Sequence, residues 1–99
     1  MTAPSLTFKC IKNRFAMMGI PYVPYKNGGG YFRGPDRAAV QDVPAHPVCF
    51  VADRPDDTPV DSYAIMGWFQ TLCLEGSEIA MFWRIQDHGD TSEQPSVTP

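Results

Sequence analysis

Ten prolines and eight glycines in 99 residues set the first limit on this chain, because no long uninterrupted helix or strand can run through them. Proline fixes φ and removes a backbone donor, while glycine raises the entropy lost on ordering, so both punctuate regular structure. The elements between them must be short, and their apolar faces must combine to be buried. A chain of this length supports one hydrophobic core and no second. Hydrophobic residues at 43% and aromatics at 12% are enough to fill that core, which excludes global disorder.

The spacing predicts an amphipathic helix over about 5–18. Phe8, Ile11, Phe15 and Met18 share one face, and Lys9, Lys12 and Asn13 point away. Ser5 is the expected N-cap and Gly19 the expected stop. Residues 20–34 read as a hairpin, with Asn27-Gly28-Gly29-Gly30 as its turn; Pro21 and Pro24 confine the first strand to a sheet edge or make it irregular. Residues 35–47 read as a connection with a brief helical stretch around 36–41. The apolar run 48–52 reads as a buried strand. Thr58, Pro59 and Asp61 form the signature of a helix start, and Ile65, Trp68, Phe69 and Leu72 make the stripe of a helix over 59–75 that Gly76 ends. Residues 78–86 alternate, with Ile79, Met81, Trp83 and Ile85 on one side, and predict a final strand. The sum is a single α+β domain over 1–87, with a small mixed or antiparallel sheet of about four short strands and two amphipathic helices packed on one face. Residues 88–99 are polar and predict a flexible tail.

Several chemistries are disfavoured. The Gly28–Gly30 run lacks the lysine, the hydroxyl residue and the following helix of a phosphate-binding loop. Asp53, Asp56, Asp57 and Asp61 do not match a calcium-loop spacing, and acids beside a helix start are explained by its dipole, so no metal is expected. His46 and Cys49, three apart, would point to opposite faces of a strand and so make a poor base and nucleophile. No catalytic residues, no enzyme activity and no cofactor are expected. Cys10, Cys49 and Cys73 are odd in number and dispersed, which suits reduced thiols. No apolar run approaches the length of a membrane span and no cleavable signal opens the chain, so a cytoplasmic, non-membrane protein is expected.

Charge is the most suggestive feature. The formal net charge of −3 conceals two opposed parts. Lys9, Lys12, Arg14, Lys26, Arg33 and Arg37 face only Asp36 in residues 1–37, a balance of +5, whereas residues 38–99 hold two bases against ten acids, a balance of −8. The basic third has three readings: docking onto the chain's own acidic loops, an acidic protein partner, or nucleic acid. Tyr25, Tyr31 and Arg33 at the hairpin, with Asp56 and Asp57 at the acidic loop, are the candidate contacts for a protein partner. Lys9, Lys12, Lys26, Arg33 and Tyr31 are the candidate contacts for nucleic acid, since cations neutralise phosphates and aromatics stack on unpaired bases.

The run from Lys12 to Gly19, followed by Tyr22 to Tyr25, a glycine turn and Tyr31-Phe32-Arg33-Gly34, resembles a helix–hairpin unit of short orphan proteins from phages, prophages and other mobile elements. The likeness covers about the first third of the chain, and Pro21 and Pro24 depart from it. It implies a small accessory protein that binds a host protein or complex stoichiometrically, as anti-CRISPR and other anti-defence inhibitors do. It implies no site residue.

Overall fold

Two strand-to-helix junctions organise the fold. β1 (Ser5–Thr7) runs directly into α1 (Phe8–Met17), and β5 (Pro59–Asp61) runs directly into α2 (Ser62–Thr71). The computed structural model describes residues 5–36 and 45–85. The two strands form an antiparallel ladder with Ser5 opposite Asp61, Leu6 opposite Val60 and Thr7 opposite Pro59. Because the ladder draws both segments into extended backbone, each helix starts later than its periodicity implies. Thr7, not Ser5, caps α1, its Oγ1 accepting the Cys10 N–H at 3.2 Å. Asp61 itself caps α2, its Oδ1 accepting the Ala64 N–H at 2.9 Å, so Thr58 is not the cap. Two further orphan donors of α1 find loop carbonyls: the Phe8 N–H reaches the Thr58 oxygen and the Lys9 N–H the Asp56 oxygen, both at 2.9 Å.

The second sheet is the expected hairpin plus the expected strand, in the order β2 (Tyr22–Pro24), β3 (Gly30–Arg33), β4 (Val48–Val51), antiparallel throughout. Its glycine turn requires glycine for different reasons along its length. Gly28 and Gly29 hold φ of +98° and +73°, in the left-handed region. A side chain at Gly30 would collide with the Val23 carbonyl oxygen and the Tyr22 ring.

The final predicted strand is a helix. α3 spans Gly76–Arg84, so Gly76 opens it rather than closing the helix before it. Residues 79–83 are apolar without a break, and such a run fits a period of two and a period of 3.6 alike. A local capping box at its start and a tertiary contact at its end accompany the helical choice. The Glu75 N–H donates to Glu78 Oε1 at 2.9 Å at one end. At the other, Arg14 of α1 donates Nη1 to the Phe82 and Trp83 carbonyls at 2.9 and 3.4 Å. Among the described residues no crossover joins two parallel strands; α2 leads through a short turn into α3, and Phe69 of α2 meets Phe82 and Trp83 of α3. The α+β class stands, with five strands in two antiparallel sheets and three helices among the described residues. The helical stretch expected around 36–41 lies outside the described residues except for Asp36, and the tail expected from 88 lies outside them entirely.

α1 and α2 pack on one face of the three-stranded sheet. Phe8, Ile11 and Phe15 of α1 meet Phe32, Cys49 and Val51 of the sheet and Ile65, Phe69 and Leu72 around α2. Phe82 brings α3 in, its ring 4.8 Å from Phe15 and 5.0 Å from Phe69. Each such ring pair contributes about 0.5–1.5 kcal/mol beyond its buried area.

Candidate interaction surface

Strand alternation places Phe32, Cys49 and Val51 inward, so their neighbours Tyr31, Arg33, Val48 and Phe50 face away from the helices. Tyr31 and Phe50 are direct cross-strand partners. Their rings lie 5.7 Å apart, and Tyr25 closes the group at 5.8 Å from Tyr31 and 6.4 Å from Phe50, stacked on the latter with 23° between planes. The Tyr25 N–H donates to the Gly29 carbonyl at 2.9 Å, which fixes the tyrosine beside the turn. Phe50 is 65% exposed and Tyr25 47%, a contiguous aromatic patch that the core does not use.

One end of the patch carries a charged rim. Asp36 Oδ1 lies 2.7 Å from His46 Nδ1 and 3.4 Å from Arg33 Nη2. Arg33 Nη2 is also 3.2 Å from that imidazole nitrogen. A protonated Nδ1 donates to Asp36, whereas a bare one accepts from Arg33, so the tautomer selects one contact of the two.

The remaining candidates lie elsewhere. Asp56 sits in the acidic loop, and its carboxylate takes Lys12 Nζ at 2.7 Å. That ammonium also lies over the Phe8 and Tyr22 rings at 4.9 and 5.2 Å. Beside it, the Arg54 guanidinium lies between Phe8 and Trp68, 5.6 and 5.5 Å from their centroids. Burial raises the Tyr22 hydroxyl above its ordinary 10.0, with Asp53 and Asp56 adding to the rise and Lys12 and Arg54 opposing it. The acidic loop and the basic helix are therefore docked to each other here, one of the three readings of the charge asymmetry. With Asp56 57% exposed, the ion pair contributes only about 0.2–1 kcal/mol. Lys9 and Asp57 are exposed.

The structure thus brings Tyr25, Tyr31 and Arg33 together and leaves Asp56 and Asp57 in a separate loop. Of the nucleic-acid candidates, Tyr31 and Arg33 share the sheet face and Lys26 stands exposed at the turn, while Lys9 and Lys12 belong to α1 behind the sheet. Phe50 escapes a sequence reading because Val48–Ala52 is apolar throughout and looks buried on both sides; an alternation test on a strand covered on one face only would have found it. Cys49 faces the core, whereas His46 is exposed on the rim. His46 is held by Asp36, and burial pushes the Cys49 thiol from 9.0 to about 11. Among the described residues no helix is long and apolar enough to cross a membrane, and no group of three or more His, Cys, Asp or Glu is placed to hold a metal ion. No family model, curated protein or solved structure matches the chain.

Proposed function

We propose that this chain is a small, non-enzymatic protein-binding module whose contact face is the outer surface of β2–β3–β4. One observation carries the reading: Tyr25, Tyr31 and Phe50 form a joined aromatic cluster on the sheet face that the helices leave uncovered. Exposed tyrosine and phenylalanine beside an arginine is the composition of an interface centre, and charged groups such as Asp36, His46 and Arg33 suit its rim. The helix–hairpin likeness to mobile-element proteins supports a regulator or inhibitor acting stoichiometrically on a host protein complex, of the anti-defence kind.

A nucleic-acid reading draws on the same rings, since aromatics on adjacent strands with Lys26 and Arg33 nearby make a stacking platform. It loses Lys9 and Lys12, which lie behind the sheet, and Lys12 is already paired with Asp56.

The test is affinity capture from the native host with mass-spectrometric identification, run on the parent, on Phe50→Ser and on Asp57→Asn. Removing an aromatic anchor weakens a protein complex by about 2 kcal/mol or more, upwards of tenfold in Kd. The reading expects one specific protein, lost with Phe50→Ser and kept with Asp57→Asn. Capture indifferent to Phe50 rejects this face. Salt-sensitive binding of a labelled single-stranded oligonucleotide, abolished by Phe50→Ser, would select the nucleic-acid reading instead.

A further inference from the structure

A second face that the described residues leave open lies on α2 and α3. Besides its core stripe of Ile65, Phe69 and Leu72, α2 presents Tyr63, Met66, Gly67 and Gln70 at i, i+3, i+4 and i+7. This outer stripe holds no charged side chain. Tyr63 is 84% exposed and Met66 53%. Its centre is Gly67, where an added Cβ would meet nothing within 4 Å. A glycine in the middle of an exposed helix destabilises it by about 1 kcal/mol relative to alanine, and nothing among the described residues packs against it. What it creates is a notch bounded by Tyr63, Met66 and Gln70, shallow enough for another backbone to approach closely.

The notch is continuous with an apolar groove between α2 and α3, lined by Met66, Phe69, Gln70, Leu74, Ile79 and Trp83. Its volume of about 290 Å³ lies at the lower limit for a small-molecule site and suits a few inserted side chains. Methionine at the lip adapts to such side chains. The charges at the two ends of the stripe share a sign. Asp61 stands immediately before α2 and Glu75 at the turn into α3, both exposed. Across residues 61–84 there are three carboxylates against the single guanidinium of Arg84. An uncharged helical stripe, a notch at its midpoint and carboxylates at both ends describe one complement.

We infer that the α2–α3 face binds a cationic amphipathic helix of a partner protein. That helix crosses α2 at Gly67, seats its apolar stripe in the Met66–Trp83 groove, and places Lys or Arg near its ends toward Asp61 and Glu75. The ten residues of α2 span about 15 Å, so a partner helix of about four turns covers the stripe and reaches both carboxylates. The C-terminal residues 86–99 are a poor occupant for the groove, since Val97 is their only large aliphatic side chain.

The probe is a labelled 15-residue amphipathic peptide of leucine and lysine, compared with the same pattern carrying glutamate for lysine. Binding is read by anisotropy and by the NMR shifts of the Met66 methyl and the Trp83 indole. The expected result is saturable binding of the lysine peptide alone, with both reporters moving. Gly67→Leu fills the notch and should weaken binding about tenfold or more while the melting temperature stays level or rises. Asp61→Asn keeps the helix cap and, combined with Glu75→Gln, should weaken it about threefold to tenfold at low salt. Phe50→Ser should change nothing, which separates this inference from the proposal for the sheet face. Equal binding of the glutamate peptide, or indifference to Gly67→Leu in a folded variant, overturns the inference. So does concentration-dependent dimerisation through Met66 and Trp83, which would make a second copy the occupant.

Discussion

Gly19 and Cys73 occupy the same position of the same helix-ending motif. After α1, the Gly19 N–H donates to the Ala16 carbonyl and the Ile20 N–H to that of Phe15; after α2, the Cys73 N–H donates to Gln70 and the Leu74 N–H to Phe69. Both are Schellman ends, and each carries its apolar contact, Ile20 with Phe15 and Leu74 with Phe69 among the buried residues. Both pivots need positive φ, +81° for Gly19 and +58° for Cys73, but only one is glycine. A side chain in that region costs about 1–2 kcal/mol. Cys73→Gly should therefore raise stability by about 0.5–1 kcal/mol once the extra chain entropy is subtracted, and Gly19→Ala should lower it by about 1 kcal/mol. Thermal melts of the pair decide the matter, and a lower melting temperature for Cys73→Gly would contradict it. The second residue-scale expectation concerns pH. Burial raises the Cys49 thiol from 9.0 to about 11, and Tyr22 is raised above 10.0. The unfolded chain thus loses the Cys49 proton first as pH rises, so the stability that thiol adds below pH 9 is lost between about 9 and 11, by up to about 1.4 kcal/mol per pH unit, and the raised Tyr22 hydroxyl acts in the same direction above pH 10. Urea unfolding at pH 8, 9, 10 and 11 should show a falling midpoint, flattened by Cys49→Ala; a level midpoint in both proteins refutes the assignment.

The C-terminus of α3 depends on a side chain from another element. Arg14 brings a positive charge and a donor to the Phe82 and Trp83 carbonyls, where the helix dipole is negative. Its guanidinium carbon also lies 5.7 Å from the Phe82 ring. Arg14→Met keeps most of the apolar stem and removes both effects, so a loss of about 1–2 kcal/mol is expected, with Arg14→Lys between. Chemical denaturation measures it, and equal stability of Arg14→Met and the parent would show that the contact adds nothing. This contact is also one that the sequence of α3 does not show. Its apolar run carries both periodicities, and what stabilises its end is a residue 68 positions away. α1 and the glycine hairpin were readable because their signals are local: a one-sided stripe, and glycines where the turn demands positive φ.

Across the whole molecule, the charge asymmetry changes meaning. The described residues carry seven bases and seven acids, so the −3 of the chain belongs to the segments outside them. Inside, the acidic loop 53–58 closes over the start of α1 through backbone bonds and the Lys12–Asp56 pair. The core binds three helices and two sheets through few residues, and Phe82 is the one fully buried side chain of α3. Phe82→Ala should cost about 3–5 kcal/mol, much of the 5–15 kcal/mol total usual for a domain. Phe50→Ser, on the open sheet face, should cost only about 1 kcal/mol, the value of its ring contacts with Tyr31 and Tyr25. Unfolding curves of the two variants side by side test this division of inner and outer faces, and a large loss at Phe50 would overturn it.

By itself the sequence determined the α+β class, the amphipathic faces of α1 and α2, the hairpin and its aromatic tip, and the absence of familiar catalytic spacing. Each follows from interactions within a few residues, where periodicity, caps and glycine are informative. Only the tertiary structure decided that 76–84 is helix, that 5–7 and 59–61 pair and delay both helix starts, that Phe50 faces outward, and that Asp56 holds Lys12. Those outcomes rest on partners distant in the chain, and a strand's side chains are buried or exposed according to which face another element covers.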